Sequence, residues 1–229
     1  MSAATKPTTI DLQRARSQRN DVAASTMQAI FETQLALRRC RAFEELAGLD
    51  PLTQLGNRRY LYERLPAMIE RGLHDGTPLT VAMVDLDHFK QVNDNHSHDV
   101  GDAVLQAVAR LTRQLFADDG FAVRLGGEEF LVVVSAVRPT ACVKLLEQLR
   151  HVIETHPWSS ISPGLVVTAS VGVATSMPGE TQTTLLRRAD EHLYEAKRAG
   201  RNCIRVDAGC RRRGGVAHTL KPAPPRVSN

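Results

Sequence analysis

The chain has 229 residues, with 29 Lys/Arg against 25 Asp/Glu, four cysteines and 42% hydrophobic residues, which is room for one domain of ordinary size plus extensions. Its net charge of +4 belongs to the ends: residues 1–49 carry seven Lys/Arg and five Asp/Glu, residues 208–229 five and none, and residues 50–207 hold 17 against 20. A nucleic-acid reader concentrates basic charge on its folded surface beside a reading motif, and neither is present. The scattered Cys40, Cys142, Cys203 and Cys210 make no Cys-x-x-Cys pair, and no apolar run reaches the roughly 18–20 residues of a membrane span, so the expectation is a reduced, soluble, cytoplasmic chain.

Residues 1–10 read as disordered, and residues 11–47, free of Pro and Gly as far as Leu46, read as a long helix. Its stripe of Met27, Ile30, Phe31, Leu35 and Leu37 breaks heptad register at Gln34 and Arg41, which predicts a short, imperfect coiled coil or packing helix that dimerises or signals. A compact domain is expected over 48–207. Asp50-Pro51 reads as a helix start, with Asp as N-cap and Pro at the first helical position, and a second helix covers Arg58 to about Arg71. Leu79 to Val84 is a nearly continuous apolar run, hence a buried central strand ending at Asp85-Leu86-Asp87. A short helix over Phe89 to Asn93 follows, then an amphipathic one near Val100 to Phe116.

Val123 to Leu125 and Phe130 to Val134 read as two strands joined at Gly126-Gly127, where a tight connection demands positive φ. A helix over Thr140 to Glu154, a strand over Leu165 to Ala174, a helix over Thr183 to Ala199 and a short strand at Cys203 to Val206 complete the domain; residues 208–229 form a basic disordered tail. The alternation gives an α/β fold.

Glu128 and Glu129 stand side by side on the glycine turn, and like charges in contact repel unless a cation lies between them. Asp85 sits at the carboxyl end of a strand, where sheets present ligands. An ordinary hairpin tip with exposed glutamates and a helix-capping aspartate would explain these residues singly but not together.

These residues resemble the GGDEF-domain diguanylate cyclases in their Gly-Gly-Glu-Glu-Phe form. The resemblance begins at Asp50-Pro51-Leu52-Thr53 with Leu55 and Asn57-Arg58-Arg59. It runs through Asp85-Leu86-Asp87-His88-Phe89-Lys90, Asn93-Asp94, His98 and Gly101-Asp102 to Arg124-Leu125-Gly126-Gly127-Glu128-Glu129-Phe130. It continues at Ser170-Val171-Gly172-Val173-Ala174, Ala189-Asp190, Leu193-Tyr194, Ala196-Lys197 and Gly200-Arg201-Asn202. Six ordered blocks over roughly 150 residues are far more specific than one motif.

The resemblance implies a palm-like, mainly antiparallel sheet flanked by helices. It implies a divalent-metal site (Mg²⁺ or Mn²⁺, two ions per GTP half-site) from Asp85, the Leu86 carbonyl, Glu128 and Glu129, with Glu128 the better proton acceptor. Lys90 would steady charge on the α-phosphate, and Asn93 and Asp102 would read the guanine edge. Lys197, Arg201, Arg124 and the main chain at His88 and Phe89 would meet the phosphates, there being no Walker loop. Asp87 is read as the cap of the helix near His88, sharing the face of Asp85 being the alternative. His96-Ser97-His98 lacks the further ligands of a zinc site. Ser97 stands where the family usually has Gly. Ala117-Asp118-Asp119-Gly120 stands where many members carry an inhibitory Arg-x-x-Asp, so no product-inhibition site is expected.

The expected reaction joins two GTP molecules into cyclic di-GMP across a homodimer. A catalytically silent domain that senses nucleotides or binds partners is the alternative, and Asn93 and Asp102 alone do not exclude cyclic GMP formation.

Overall fold

The computed structural model describes residues 48–77, 79–118, 120–135 and 138–207, together with Met27. The chain divides into two units, Met1–Ala47 and Gly48–Asn229. Of the first, only Met27 is described; it is helical and exposed, and the rest of the long helix expected there, like the basic tail, lies outside the described residues.

The second unit runs α1 (Arg58–His74), β1 (Thr80–Leu86), α2 (Phe89–Asn95), α3 (His98–Phe116), β2 (Gly120–Gly126), β3 (Glu129–Val134), α4 (Pro139–Thr155), a 3₁₀ turn (Trp158–Ser160), β4 (Ala169–Thr175), α5 (Gln182–Arg198) and β5 (Ile204–Val206). The five strands form one sheet in the order β2-β3-β1-β4-β5, antiparallel except for the β4–β5 pair. This is the mainly antiparallel, helix-flanked sheet the sequence implied.

β1 is central, and all seven of its residues are buried. The pleat divides them: Ala82, Val84 and Leu86 join a core with α2, α3 and α4, while Val81 and Met83 join a second core with α1 and α5. Because both faces are covered, the strand reads as a continuous apolar run with no polar alternation.

Two expected elements differ. Asp50-Pro51 opens a turn, not a helix: Asp50 Oδ1 accepts from the Thr53 amide at 2.8 Å and its hydroxyl at 2.6 Å, and the next helix starts only after Asn57, whose Oδ1 accepts from the Tyr60 amide at 3.0 Å. An aspartate can close a local turn as readily as it caps a helix, and here the turn lies against β2, with the Gly56 amide bonded to the Ala122 carbonyl at 3.2 Å and the Arg124 amide to the Gly56 carbonyl at 2.8 Å. The strand expected from Leu165 begins at Ala169, where β4 meets the last residue of β1, and Val166 is 72% exposed.

α5 presses directly on β4 at Gly172. A Cβ there would lie 2.1 Å from the Leu193 amide nitrogen and 2.2 Å from the Ala189 carbonyl oxygen, both main-chain atoms that cannot swing aside. Gly172→Ala is therefore expected to destabilise the domain by about 1–3 kcal/mol, measured by urea unfolding. Unchanged stability would show that α5 can back away from the sheet at no cost.

Candidate active site

The site gathers at one end of the sheet, where β1 runs out beside the β2–β3 turn. Antiparallel register sets Asp85 opposite Glu129 on one side and Ser170 on the other. The Leu86 amide reaches the Glu128 carbonyl at 3.4 Å, so the turn folds back over the end of β1. Gly126 and Gly127 have φ of 150° and 50°, and the register shifts between Arg124 and Gly126. Such a bulge turns the chain sharply, leaving Glu128 in the turn and Glu129 as the first paired residue of β3.

Asp85 is 6% exposed. Burial pushes its carboxyl up from the ordinary carboxylate range, the bond from Lys197 pulls it back, and the charges of Glu128 and Glu129 push it up again, with a net rise. Lys197, in the last turn of α5, sets its Nζ 2.8 Å from Asp85 Oδ2. Asp85, Glu128, Glu129 and Lys197 thus share one site. Among the described residues no three His, Cys, Asp or Glu side chains close into a ready-made metal cage. Mg²⁺ does not require one, because it keeps waters and substrate phosphate oxygens among its ligands.

Arg124 is bonded both to the signature turn and to Asp50. Its Nε donates to the Gly127 carbonyl at 2.9 Å, and its Nη1 lies 3.2 Å and 3.3 Å from the two oxygens of Asp50. Burial works to raise Asp50, but hydrogen bonds from Thr53 and Arg124 outweigh it and hold the carboxyl below its usual range. In this structure the Arg124 guanidinium clamps the signature turn to the turn at residues 50–57.

On the other side, His88 takes φ of 57° between β1 and α2 and is exposed, Phe89 is buried, and Lys90 is exposed. α2 packs closely on α3: a Cβ on Gly101 would fall 2.0 Å from Asn93 Oδ1, so the asparagine lies over the residue that precedes Asp102. Ser97 holds φ of 147°, a left-handed value that favours glycine, while its hydroxyl accepts from the Val100 amide at 3.3 Å and caps α3. His96 Nδ1 meets Ser162 Oγ at 2.8 Å. Arg201 is exposed, with φ of 63°, just past the end of α5.

Asp87 does not cap α2. The N-cap residue is His88, which makes no side-chain cap bond, and the Asp87 carboxylate faces inward onto Thr168, Ser170 and the Asn202 amide. Partners more than eighty residues away outcompete the adjacent helix for this carboxylate.

A family model described as "Diguanylate cyclase, GGDEF domain" matches residues 47–203. The chain is 36% identical over 202 residues to the diguanylate cyclase DgcP of Pseudomonas aeruginosa, covering 85% of this chain and 30% of that protein. It is 39% identical over 165 residues to the response regulator PleD of Caulobacter vibrioides, covering 70% and 36%. The chain therefore spans about a third of the length of these relatives. Among solved structures, it resembles the coiled coil and GGDEF domain of DgcB from Caulobacter crescentus in complex with c-di-GMP, with a TM-score of 0.73 at 28% identity over 81% of this chain and 99% of that one.

A carboxyl held above its usual range favours the folded state while protonated and loses that contribution as pH rises through its folded pKa. At neutral pH an ionised Asp85 is then a net burden on the fold. Asp85→Asn is expected to raise the melting temperature by a few degrees at pH 7, since Lys197 can turn to water, with the gain shrinking toward pH 4. A lower melting temperature at pH 7 would mean that the ion pair with Lys197 outweighs burial and repulsion.

Proposed function

Because the chain belongs to the GGDEF family of diguanylate cyclases, we propose that it condenses two GTP molecules into cyclic di-GMP and two pyrophosphates. The observation that carries this reading is the meeting of Asp85 with the Gly126–Glu129 turn at the end of β1, beside the Lys197 ammonium. Two glutamates whose charges reach a buried aspartate make a strongly negative, oxygen-only donor set, and the Lys197 ammonium against Asp85 fits a place that attracts positive charge. Asp85, the Leu86 carbonyl, Glu128 and Glu129 would hold two Mg²⁺ or Mn²⁺ ions. The ions would supply charge neutralisation at the triphosphate and a more acidic 3′-hydroxyl.

The chain's own residues divide the remaining work. Asn93 and Asp102 hold the guanine edge, where an unmatched base would leave polar groups unpaired. Lys197 and Arg201 bind the β- and γ-phosphates, the main chain at His88 and Phe89 supports them, and Lys90 steadies charge developing on the α-phosphate. Glu128 takes the proton of the attacking 3′-hydroxyl. With one GTP per domain, two copies of the chain must face each other about a two-fold axis. Each 3′-hydroxyl then forms a bond to the partner's α-phosphate as an α–β anhydride bond breaks and pyrophosphate departs. The helix expected over residues 11–47 is the candidate for bringing the copies together, and a cytoplasmic location fits a GTP substrate.

Product inhibition through an Arg-x-x-Asp site is not part of this reading. Ala117 offers no guanidinium, and at Gly120 a Cβ would fall 1.9 Å from the Val133 carbonyl oxygen, so an aspartate could not enter without parting β2 from β3.

Purified protein with GTP and Mg²⁺ is expected to yield cyclic di-GMP, identified by chromatography and mass. Glu129→Ala is expected to stop turnover, and added cyclic di-GMP at about micromolar concentration should slow the initial rate by less than about two-fold. Absence of product, or product made normally by Glu129→Ala, would overturn the reading. Strong noncompetitive inhibition would show a product site built from other residues.

A further inference from the structure

Asp87 has no part in the proposed chemistry, yet it is 6% exposed and joins several distant segments. Its Oδ1 accepts from Ser170 Oγ at 2.7 Å, and its Oδ2 accepts from Thr168 Oγ1 at 2.7 Å and from the main-chain N–H of Asn202 at 3.0 Å. The two hydroxyls pin the carboxylate to β4 and the chain leading into it. The amide in turn pins the segment after α5 to the carboxylate.

That segment follows an unusual path. Gly200, Arg201 and Asn202 take successive φ values of 109°, 63° and 44°, a left-handed run that Arg and Asn adopt only when contacts hold them there. The holding contacts come from three directions. The Arg201 amide closes onto the Ala196 carbonyl at 3.1 Å. From α4, Arg150 Nη1 donates to Asn202 Oδ1 at 2.7 Å, while Asn202 Nδ2 donates to Glu154 Oε1 at 2.8 Å. The third is Asp87. The side chain of Arg201 is left exposed between these anchors.

Asp87 lies two residues beyond Asp85 and one beyond Leu86, so a single buried carboxylate bridges the proposed metal-bearing end of β1 and the turn that carries Arg201. We infer that Asp87 is a positioning residue for the triphosphate: it fixes the Arg201 turn relative to Asp85, with Arg150 braced behind Asn202. The inference rests on the reading that Arg201 meets the triphosphate. A shift of the turn moves the guanidinium off the phosphate oxygens and leaves the guanine pocket at Asn93 and Asp102 untouched.

Calorimetry on the full chain with Mg²⁺ separates the two. One ligand is 3′-deoxy-GTP, which cannot condense, and the other is GMP, which lacks the β- and γ-phosphates. Asp87→Ala is expected to weaken 3′-deoxy-GTP about ten-fold and GMP less than about two-fold, with Asp87→Asn recovering most of the loss because it retains an acceptor. In an Arg201→Ala background, Asp87→Ala should add no further loss, since both act through one contact. Equal loss for both ligands, or a full additional loss on Arg201→Ala, overturns the inference.

If circular dichroism shows that Asp87→Ala does not fold, Arg150→Ala carries the test from α4. The same triphosphate-selective weakening is expected, and unchanged 3′-deoxy-GTP affinity overturns the inference. Wild-type protein that binds neither ligand overturns the cyclase reading with it. Wild-type protein that binds both, with Asp87→Ala or Arg150→Ala indistinguishable from it, overturns the positioning role alone.

Discussion

The antiparallel pairing of β1 with β3 places Asp85 opposite Glu129, and the Leu86 amide draws Glu128 in beside them. Two glutamates are thereby set near enough to the buried Asp85 for their charges to raise its carboxyl, an arrangement that a fold selected for stability alone would avoid. The cost is visible in Asp85, whose carboxyl is raised by burial and by its two acidic neighbours. Lys197 offsets part of it, and Lys197 is in place because α5 lies directly on β4 at Gly172.

The surroundings brace that site from two sides. Asp50 holds Arg124, and Arg124 holds the Gly127 carbonyl, so the segment entering the domain is tied to the turn that carries Glu128 and Glu129. Asp87, Asn202 and Arg150 tie the turn after α5 to the end of β1. In both cases a charged group fastens segments that lie far apart in the chain. Such fixed scaffolding suits a site whose reacting groups must be placed before substrate arrives.

What the sequence revealed follows from the range of the interactions involved. β1 was legible because burial on both faces leaves a continuous apolar run, and the β2–β3 turn because two glycines interrupt two apolar segments. The Asp50–Arg124 clamp spans 74 residues, and a single sequence carries no signal for a pairing at that range. Asp87 was misread for the same reason: the nearest helix offered a local use for the carboxylate, while its partners at Thr168, Ser170 and Asn202 were recognisable only once β4 lay beside β1. Leu165 and Val167 are buried as a strand pattern suggests, but the ladder can extend only as far as β1 does, and it stops at the Leu86–Ala169 pair. Family resemblance links the site residues across the sequence, and the register of β1 against β3 gives the physical reason why Asp85 and Glu129 are neighbours.

In the proposed reaction the carboxylate site is half of a cation site, completed by the phosphates of bound nucleotide. Titration of the full chain with Mn²⁺, with and without saturating 3′-deoxy-GTP, tests it most directly. Mn²⁺ is expected to bind at least about ten-fold more tightly when the nucleotide is present, because phosphate oxygens supply the ligands the protein lacks and draw Lys197 away from Asp85. Equal Mn²⁺ affinity with and without nucleotide, or no Mn²⁺ binding in either state, would contradict it.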